Sequence, residues 1–338
     1  MSMEKGRVLV VGAGGFAGGF IVEEGLRRGF EVWAGVRETT SRKWLGDERI
    51  RFIEFDFSST ASIAETLKNA LPEGEKWDYI VYNLGATKVM HYYEFSQINC
   101  DYLRFFTTAL EQVSKVPERF LYMSSLSAMG PGDEKRYTPF NEEMIPIPNT
   151  KYGASKLKAE VWLQTREIPY IIFRPTGIYG PRDRDYFLMF KSIGSGFDFS
   201  VGYRKQLLTF IYVEDLSRAV YDALERAPIK EIYDISEPRA YTQKEFRRLV
   251  AKAIGKRFVL PVRMPLWGVK VVSAVAEWWG VARLKPSTLN RDKYKIMKQR
   301  NWSVDVSKAE RDFGFKTSVP LALGIEKSLA WYKDEGWM

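Results

Sequence analysis

Short apolar runs alternate with longer stretches of helical spacing through the first half of the chain. Runs at Arg7–Val11, Glu31–Val36, 51–55, 79–84, 119–123 and 170–174 predict strands. Apolar positions recurring every three or four residues predict helices over 17–28, 62–69, 102–114 and 152–165. The stretches VLVV and YIIF are apolar without interruption, the pattern of strands covered on both faces. Strands separated by helical spacers imply right-handed crossovers and hence a parallel sheet. The expected class is α/β, a doubly wound parallel sheet. After Gly180 come shorter elements richer in Pro, Gly and aromatic residues, a smaller and mixed C-terminal portion.

The first predicted strand runs into Gly12-Ala13-Gly14-Gly15-Phe16-Ala17-Gly18 and then directly into a helix. Glycine suits this turn because a side chain would block it or hold the backbone away from a pyrophosphate, which the helix N-terminus beyond would attract. A glycine triplet alone is weak evidence. Its place between the first strand and the first helix, with a second strand about twenty residues on, makes dinucleotide binding the reading of choice and the sheet one of Rossmann type. Residues 1–180 are then expected to form the nucleotide-binding domain, with 205–236 returning to it, and 181–338 mainly the substrate-binding portion. At the end of the second strand, where an acid would bind ribose hydroxyls, the chain reads Val36-Arg37-Glu38. Arg37 can grip a 2′-phosphate, with Arg42 and Lys43 nearby, so NADP is favoured over NAD. The rival reading is an exposed Arg37 paired with Glu38.

Composition narrows this only slightly. Of 338 residues, 45% are apolar and 28% charged, which is ordinary globular chemistry. The lone Cys100 cannot form an internal disulfide and is expected to be a small buried apolar residue. The first strand begins too early for a signal peptide, and the apolar stretch 264–282 contains Pro265, Lys270 and Glu277. A soluble, cytoplasmic protein with no transmembrane segment is expected. The net charge of +9 comes from scattered basic residues, a pattern that favours a solvated surface attracting phosphates over a nucleic-acid site.

Tyr152-Gly-Ala-Ser-Lys156 places a phenol and an ammonium four apart, on one helix face. Carbonyl reduction needs a proton donor beside the substrate oxygen, and alcohol oxidation needs the reverse. A free tyrosine, with a pKa of about 10, is a poor base at neutral pH, and a neighbouring cation favours its phenolate. Such a pair is common by itself. It gains weight after a nucleotide-binding half and a strand ending Met123-Ser124-Ser125-Leu126-Ser127. Serine hydroxyls there can donate to a substrate oxygen, although at least one should only satisfy turn backbone. One histidine, His91, and one cysteine make no convincing zinc site, and no Gly-x-Ser-x-Gly nucleophile motif appears.

These residues, taken in order, resemble the extended short-chain dehydrogenase/reductases. The resemblance spans nearly the whole chain. It includes Gly12/Gly15/Gly18, Asp56, Asn83-Leu84-Gly85-Ala86, Asn99, Ser125, Tyr152/Lys156, the run from Arg174 through Gly180 to Arg182, and Phe210-Ile211-Tyr212-Val213-Glu214-Asp215. It implies Tyr152 as acid/base, Lys156 on the nicotinamide ribose and Ser125 on the substrate oxygen. It implies cofactor contacts at Gly12, Gly15, Phe16, Ala17, Gly18, Arg37, Asp56, Phe57, Leu84, Gly85, Ala86, Tyr152, Lys156 and Pro175, and substrate contacts at Thr87, Ser127, Thr176 and Gly177. A dimer through the helices around Tyr102 and Tyr152 is implied as well.

Within that family the chain looks most like the dihydroflavonol reductase and 3β-hydroxysteroid dehydrogenase branch, which includes its ending from Leu289 to Ala309. The competing branch, nucleotide-sugar epimerases and dehydratases, usually carries an arginine where this chain has Leu208, although Arg204 is close. The leading expectation is NADP(H)-linked interconversion of a carbonyl and an alcohol on a small, moderately apolar molecule. An epimerase or dehydratase is the runner-up, and a non-catalytic scaffold that binds RNA the third reading. Trp278-Trp279 could form an apolar lid or touch a membrane surface, with ordinary domain packing equally open.

Overall fold

The structure, a computed structural model, describes residues 5–282 and 290–338, without the side chains of 279–282. Trp279's side chain and Leu289 therefore lie outside the described residues.

The first half runs β1 (Arg7–Val11), α1 (Phe16–Arg28), β2 (Glu31–Val36), β3 (Arg51–Glu54), α2 (Thr60–Ala70) and β4 (Tyr79–Tyr82). It continues with α3 (Tyr93–Ser96), a π turn (Gln97–Asp101), α4 (Tyr102–Gln112), β5 (Arg119–Met123), a 3₁₀ turn (Leu126–Ala128), α5 (Lys151–Gln164) and β6 (Tyr170–Pro175). The second half holds β7 (Gly177–Tyr179), α6 (Asp185–Gly194), β8 (Phe197–Val201), β9 (Leu207–Leu208), β10 (Phe210–Tyr212), α7 (Val213–Arg226) and β11 (Glu231–Ile235). Last come β12 (Tyr241–Thr242), α8 (Gln243–Ile254), β13 (Leu260–Met264), α9 (Leu266–Ala282), α10 (Arg291–Met297), α11 (Ser307–Phe313) and α12 (Leu321–Asp334).

Seven strands form one parallel sheet in the order β11-β6-β5-β4-β1-β2-β3. The order reverses beside β1, which places a topological switch point at the glycine-rich turn. Strand alternation sorts the uninterrupted apolar runs onto two faces. Val8 and Val10 face a core with Ile21 and Leu26 of α1 and Leu216 and Val220 of α7. Leu9 and Val11 face another with Leu67 of α2, Phe106 of α4 and Leu163 of α5. Helix α1 stops at Gly29, which takes a left-handed φ of 86° and donates to the carbonyls of Gly25 and Leu26, with Arg27 and Arg28 in the last turn.

Two of the predicted strands end earlier than expected. Phe55 and Asn83 still donate backbone hydrogen bonds across the sheet, yet the chain is already turning into the loops that carry the site. The helix expected over 102–114 belongs to a longer helical stretch that begins at Tyr93 and is interrupted by the π turn. Strand β11 and helix α7, both beyond residue 180, are part of the sheet layer. A third core, including Phe190, Phe210, Phe246, Leu321 and Tyr332, holds the C-terminal portion together. Among the described residues no helix is long and apolar enough to cross a membrane.

Candidate active site

The expected residues gather along the carboxyl edge of the sheet, where the loops after β1 to β6 meet. Gly12 adopts a φ of 84°, and a Cβ there would sit 2.8 Å from Leu84 N, so the turn after β1 closes against the end of β4. A Cβ on Gly18 would lie 2.2 Å from the Gly12 carbonyl oxygen, which only glycine avoids. Gly15 caps α1 with no side-chain hydrogen bond, and the first turn around Phe16, Ala17 and Gly18 carries no acid. The first N–H groups and their partial positive charge are thus left to an anion, as a dinucleotide pyrophosphate requires.

Arg37 follows β2 directly and is exposed, with its N–H on Thr40 Oγ1 at 3.0 Å. Its side chain pairs with no carboxylate among the described residues, Glu38 included. Arg42 is committed to Glu54 and lies over the Phe52 ring, and Lys43 pairs with Glu335 at 3.2 Å. Arg37 is the cation of these three still available to a phosphate. Asp56, past β3, is exposed and accepts from Ser58 N (2.9 Å), Ser58 Oγ (2.6 Å) and Ser62 Oγ (3.2 Å). The Ser58 hydrogen bonds hold its carboxyl below the usual range. Phe57 is buried and stacked on Tyr102, with centroids 5.1 Å apart.

Leu84 and Ala86 are half-buried past β4, while Gly85 and Thr87 are exposed. Buried Asn99, in the π turn, accepts from Ala86 N at 2.7 Å and donates to Ala86 O at 3.1 Å and Ser155 Oγ at 3.0 Å. Ser155 Oγ in turn donates to the Tyr152 carbonyl at 2.7 Å. Asn99 therefore clamps the β4 loop to α5, an instance of a π turn placed where a function needs an offset side chain.

Helix α5 starts where its first N–H groups find acceptors. Thr150 Oγ1 takes Gly153 N at 2.9 Å, and the Asp292 carboxylate takes the N–H groups of Lys151 (2.8 Å) and Tyr152 (3.0 Å). Gly153 lets the 3₁₀ turn press close, since a Cβ there would stand 2.1 Å from the Ser127 carbonyl oxygen. That contact brings the Ser125 hydroxyl beside the Tyr152 phenol, where it favours the phenolate. Ser125 Oγ accepts from Ser127 N at 3.2 Å. Burial pushes the Tyr152 phenol up, with the Ser125 hydroxyl opposing. Lys156 is buried one turn on, donating to the Met123 carbonyl at 2.8 Å, and a Cβ on Gly85 would be 2.9 Å from its Nζ. Burial pushes Lys156 down to about 8, with the Glu160 carboxylate pulling it back up. At the end of β6, Pro175 is buried, and half-buried Thr176 donates to Ser236 Oγ at 3.2 Å next to Gly177.

Ser124, the neighbour of Ser125, has a different job. It is buried and donates to Glu160, a fully buried carboxylate that also takes Arg174 Nη2 at 2.6 Å and Nε at 3.1 Å. Asp234 lies nearby in β11, its N–H donating to Glu142 at 2.9 Å and its own carboxylate oxygens buried without a hydrogen-bond partner among the described residues. Burial and the Glu142 charge push Asp234 up to about 8. Motif reading did not single out Glu160, Asp234 or Glu142. Only the spacing of Glu160, four residues after Lys156 on the same helix face, hinted at the first.

Residues 8–236 match the model of the NAD dependent epimerase/dehydratase family. The chain belongs to that family. As an extended short-chain dehydrogenase/reductase it is an NAD(P)-dependent enzyme, and the glycine-rich turn and the loops along the sheet edge fit the cofactor. A ceramide reductase of Caulobacter vibrioides is similar over 99% of this chain and 96% of its own length, at 24% identity. A dTDP-glucose 4,6-dehydratase of Neisseria gonorrhoeae is 26% identical, over 58% of this chain and 54% of its own. Among solved structures, the Bordetella bronchiseptica enzyme WbmG in complex with NAD and UDP superposes with a TM-score of 0.76. That likeness covers 98% of this chain and 96% of the other at 20% identity, and it shows the shared fold.

Proposed function

We propose that this family member is an NADP(H)-linked oxidoreductase that interconverts a carbonyl and an alcohol on a small, moderately apolar substrate. The observation that carries the reading is the meeting of Ser125, Tyr152 and Lys156 at one end of α5, beside the glycine-rich turn. When bound, the nicotinamide cofactor supplies or accepts the hydride. Ser125 and the Tyr152 hydroxyl both donate to the substrate oxygen, which polarises the carbonyl and fixes its position. Tyr152 then gives up its proton as charge develops on that oxygen, and the buried Lys156 cation stabilises the phenolate left behind. Asn99 sets the height of the β4 loop against α5 and so the depth at which the substrate oxygen sits. Arg37, with no carboxylate partner among the described residues, supports a 2′-phosphate and hence NADP over NAD. The likeness to a ceramide reductase along the whole chain supports reduction of an apolar carbonyl compound.

A second reading, nucleotide-sugar epimerisation or dehydration, draws support from the dTDP-glucose dehydratase and from the UDP-bound enzyme. Leu208, in β9 paired with β12, supplies no phosphate-binding cation at that position. The deciding experiment follows NADPH and NADH absorbance against a panel of ketones and aldehydes, with product analysis of nucleotide sugars alongside. Net NADPH consumption with a carbonyl supports the proposal. Sugar conversion without net consumption replaces it by the second reading.

A further inference from the structure

The C-terminal portion carries an apolar surface turned outward. In α9, Val269 and Ser273 are buried and Glu277 follows on the same face, one helical turn apart each. Trp267, Val271 and Val275 form the opposite stripe, and Trp267 is 73% exposed. The strand pair leading into the helix repeats this arrangement. Phe197 sits in register with Leu260 and Phe199 with Val262, so these side chains share one face, from which Phe197, Phe199 and Leu260 project into solvent. Phe258, just before β13, is 74% exposed. Exposed apolar surface on this scale marks an interaction site.

Charge narrows the occupant. Residues 246–276 contain seven basic side chains and no acidic one: Arg247, Arg248, Lys252, Lys256, Arg257, Arg263 and Lys270. Lys256, Arg257, Arg263 and Lys270 are exposed and pair with no carboxylate among the described residues. Beside β8 and β13, a cleft of about 320 Å³ adds Arg204, Lys205 and Lys244. Aromatic and aliphatic side chains among unpaired cations are what an anionic bilayer surface attracts, the rings entering the interface and the cations meeting the head groups.

The buried side of α9 joins this surface to the catalytic end of the sheet. Glu277 accepts from Tyr92 Oη at 2.9 Å and from Arg291 N at 3.0 Å. Tyr92 stacks on Phe95 with centroids 6.5 Å apart, and Phe95 meets the Tyr152 ring edge-on at 5.8 Å. We infer that the β8–β13 face and the outer stripe of α9 dock the enzyme on an anionic lipid surface, with α9 lying in the interface next to the Tyr152 wall. The inference rests on exposed side chains that take no part in the proposed chemistry, so it stands or falls separately from the reductase reading.

The test is co-sedimentation of the full chain with vesicles of phosphatidylcholine alone or mixed with phosphatidylglycerol, at low and high salt. The expected result is binding to the mixed vesicles that weakens as salt rises, with little binding to phosphatidylcholine alone. Trp267→Glu/Val271→Glu and Lys256→Glu/Arg257→Glu should each weaken it at least tenfold, while melting temperature and turnover of a water-soluble carbonyl stay at the wild-type level. Wild-type protein left in the supernatant with the mixed vesicles overturns the inference, as do variants that bind like wild type. Sedimentation velocity showing a dimer that Trp267→Glu/Val271→Glu splits into monomers, without vesicle binding, would assign the face to a second copy instead.

Discussion

The sheet layer and the β8–β13–α9 region handle charge and apolar surface in opposite ways. Along β5, β6 and α5, Arg174, Glu160 and Lys156 are buried and have partners, Arg174 in an ion pair with Glu160 and Lys156 donating to the Met123 carbonyl. Apolar side chains of β5 and β6 are covered, Ile172 and Phe120 completely. Around α9, Trp267 and Val271 are exposed, and Lys256 and Arg257 point into solvent without partners among the described residues. Buried ionic groups are costly to desolvate and gain little stability over an apolar core, so their presence beneath Lys156 points to a task other than holding the fold together. Exposed apolar groups among unpaired cations are equally hard to explain by folding, and they point to an external surface.

Substitution can break this contrast. The largest effect is expected from Arg174→Ala, which leaves the Glu160 carboxylate buried and uncompensated. It should cost about 3–5 kcal/mol of stability, read as a shift in the denaturant midpoint. Next comes Arg37→Ala, which removes a single charge-assisted contact of about 1.5–3 kcal/mol. It should raise KM for NADPH roughly tenfold to a hundredfold with little change for NADH. A cofactor-blind effect would show that Arg37 acts through the fold.

Asp234 gives a pH-dependent case. Burial pushes it up to about 8, so across pH 4 to 8 the folded chain keeps a proton that the unfolded chain has released. Stability from this group is greatest near pH 4 and falls as pH rises through 8. Asp234→Asn should therefore gain melting temperature on wild type at pH 8 and show little difference at pH 4. The smallest effect belongs to the outer region, where Lys256→Ala should change stability by no more than about 0.5 kcal/mol.

The difference between the regions also shows what a sequence makes legible. The uninterrupted runs of β1 and β6 announced a parallel sheet because burial on both faces leaves no room for polar residues. Tyr152 and Lys156 were legible because one helical turn separates them. The strand ends at 51–55 and 79–84 overshoot because Phe55 and Leu84 remain apolar beyond the strand ends at Glu54 and Tyr82. The π turn was illegible, since one extra residue in a helix leaves no periodic trace, and the clamp made by Asn99 was hidden with it. The pairing of Glu160 with Arg174 was hidden because α5 and β6 must fold together before those side chains meet. Around α9 the apolar positions were plain, but which of them face solvent depends on the contacts that bury Val269 and Ser273.

The measurement that bears most directly on the central claim is NADPH consumption with a responsive carbonyl, wild type against Tyr152→Phe, with NADPH binding followed separately by fluorescence. The account predicts a loss of about 10²–10⁴ in turnover with cofactor affinity unchanged, because only the proton donor is gone. Full turnover in Tyr152→Phe would contradict it.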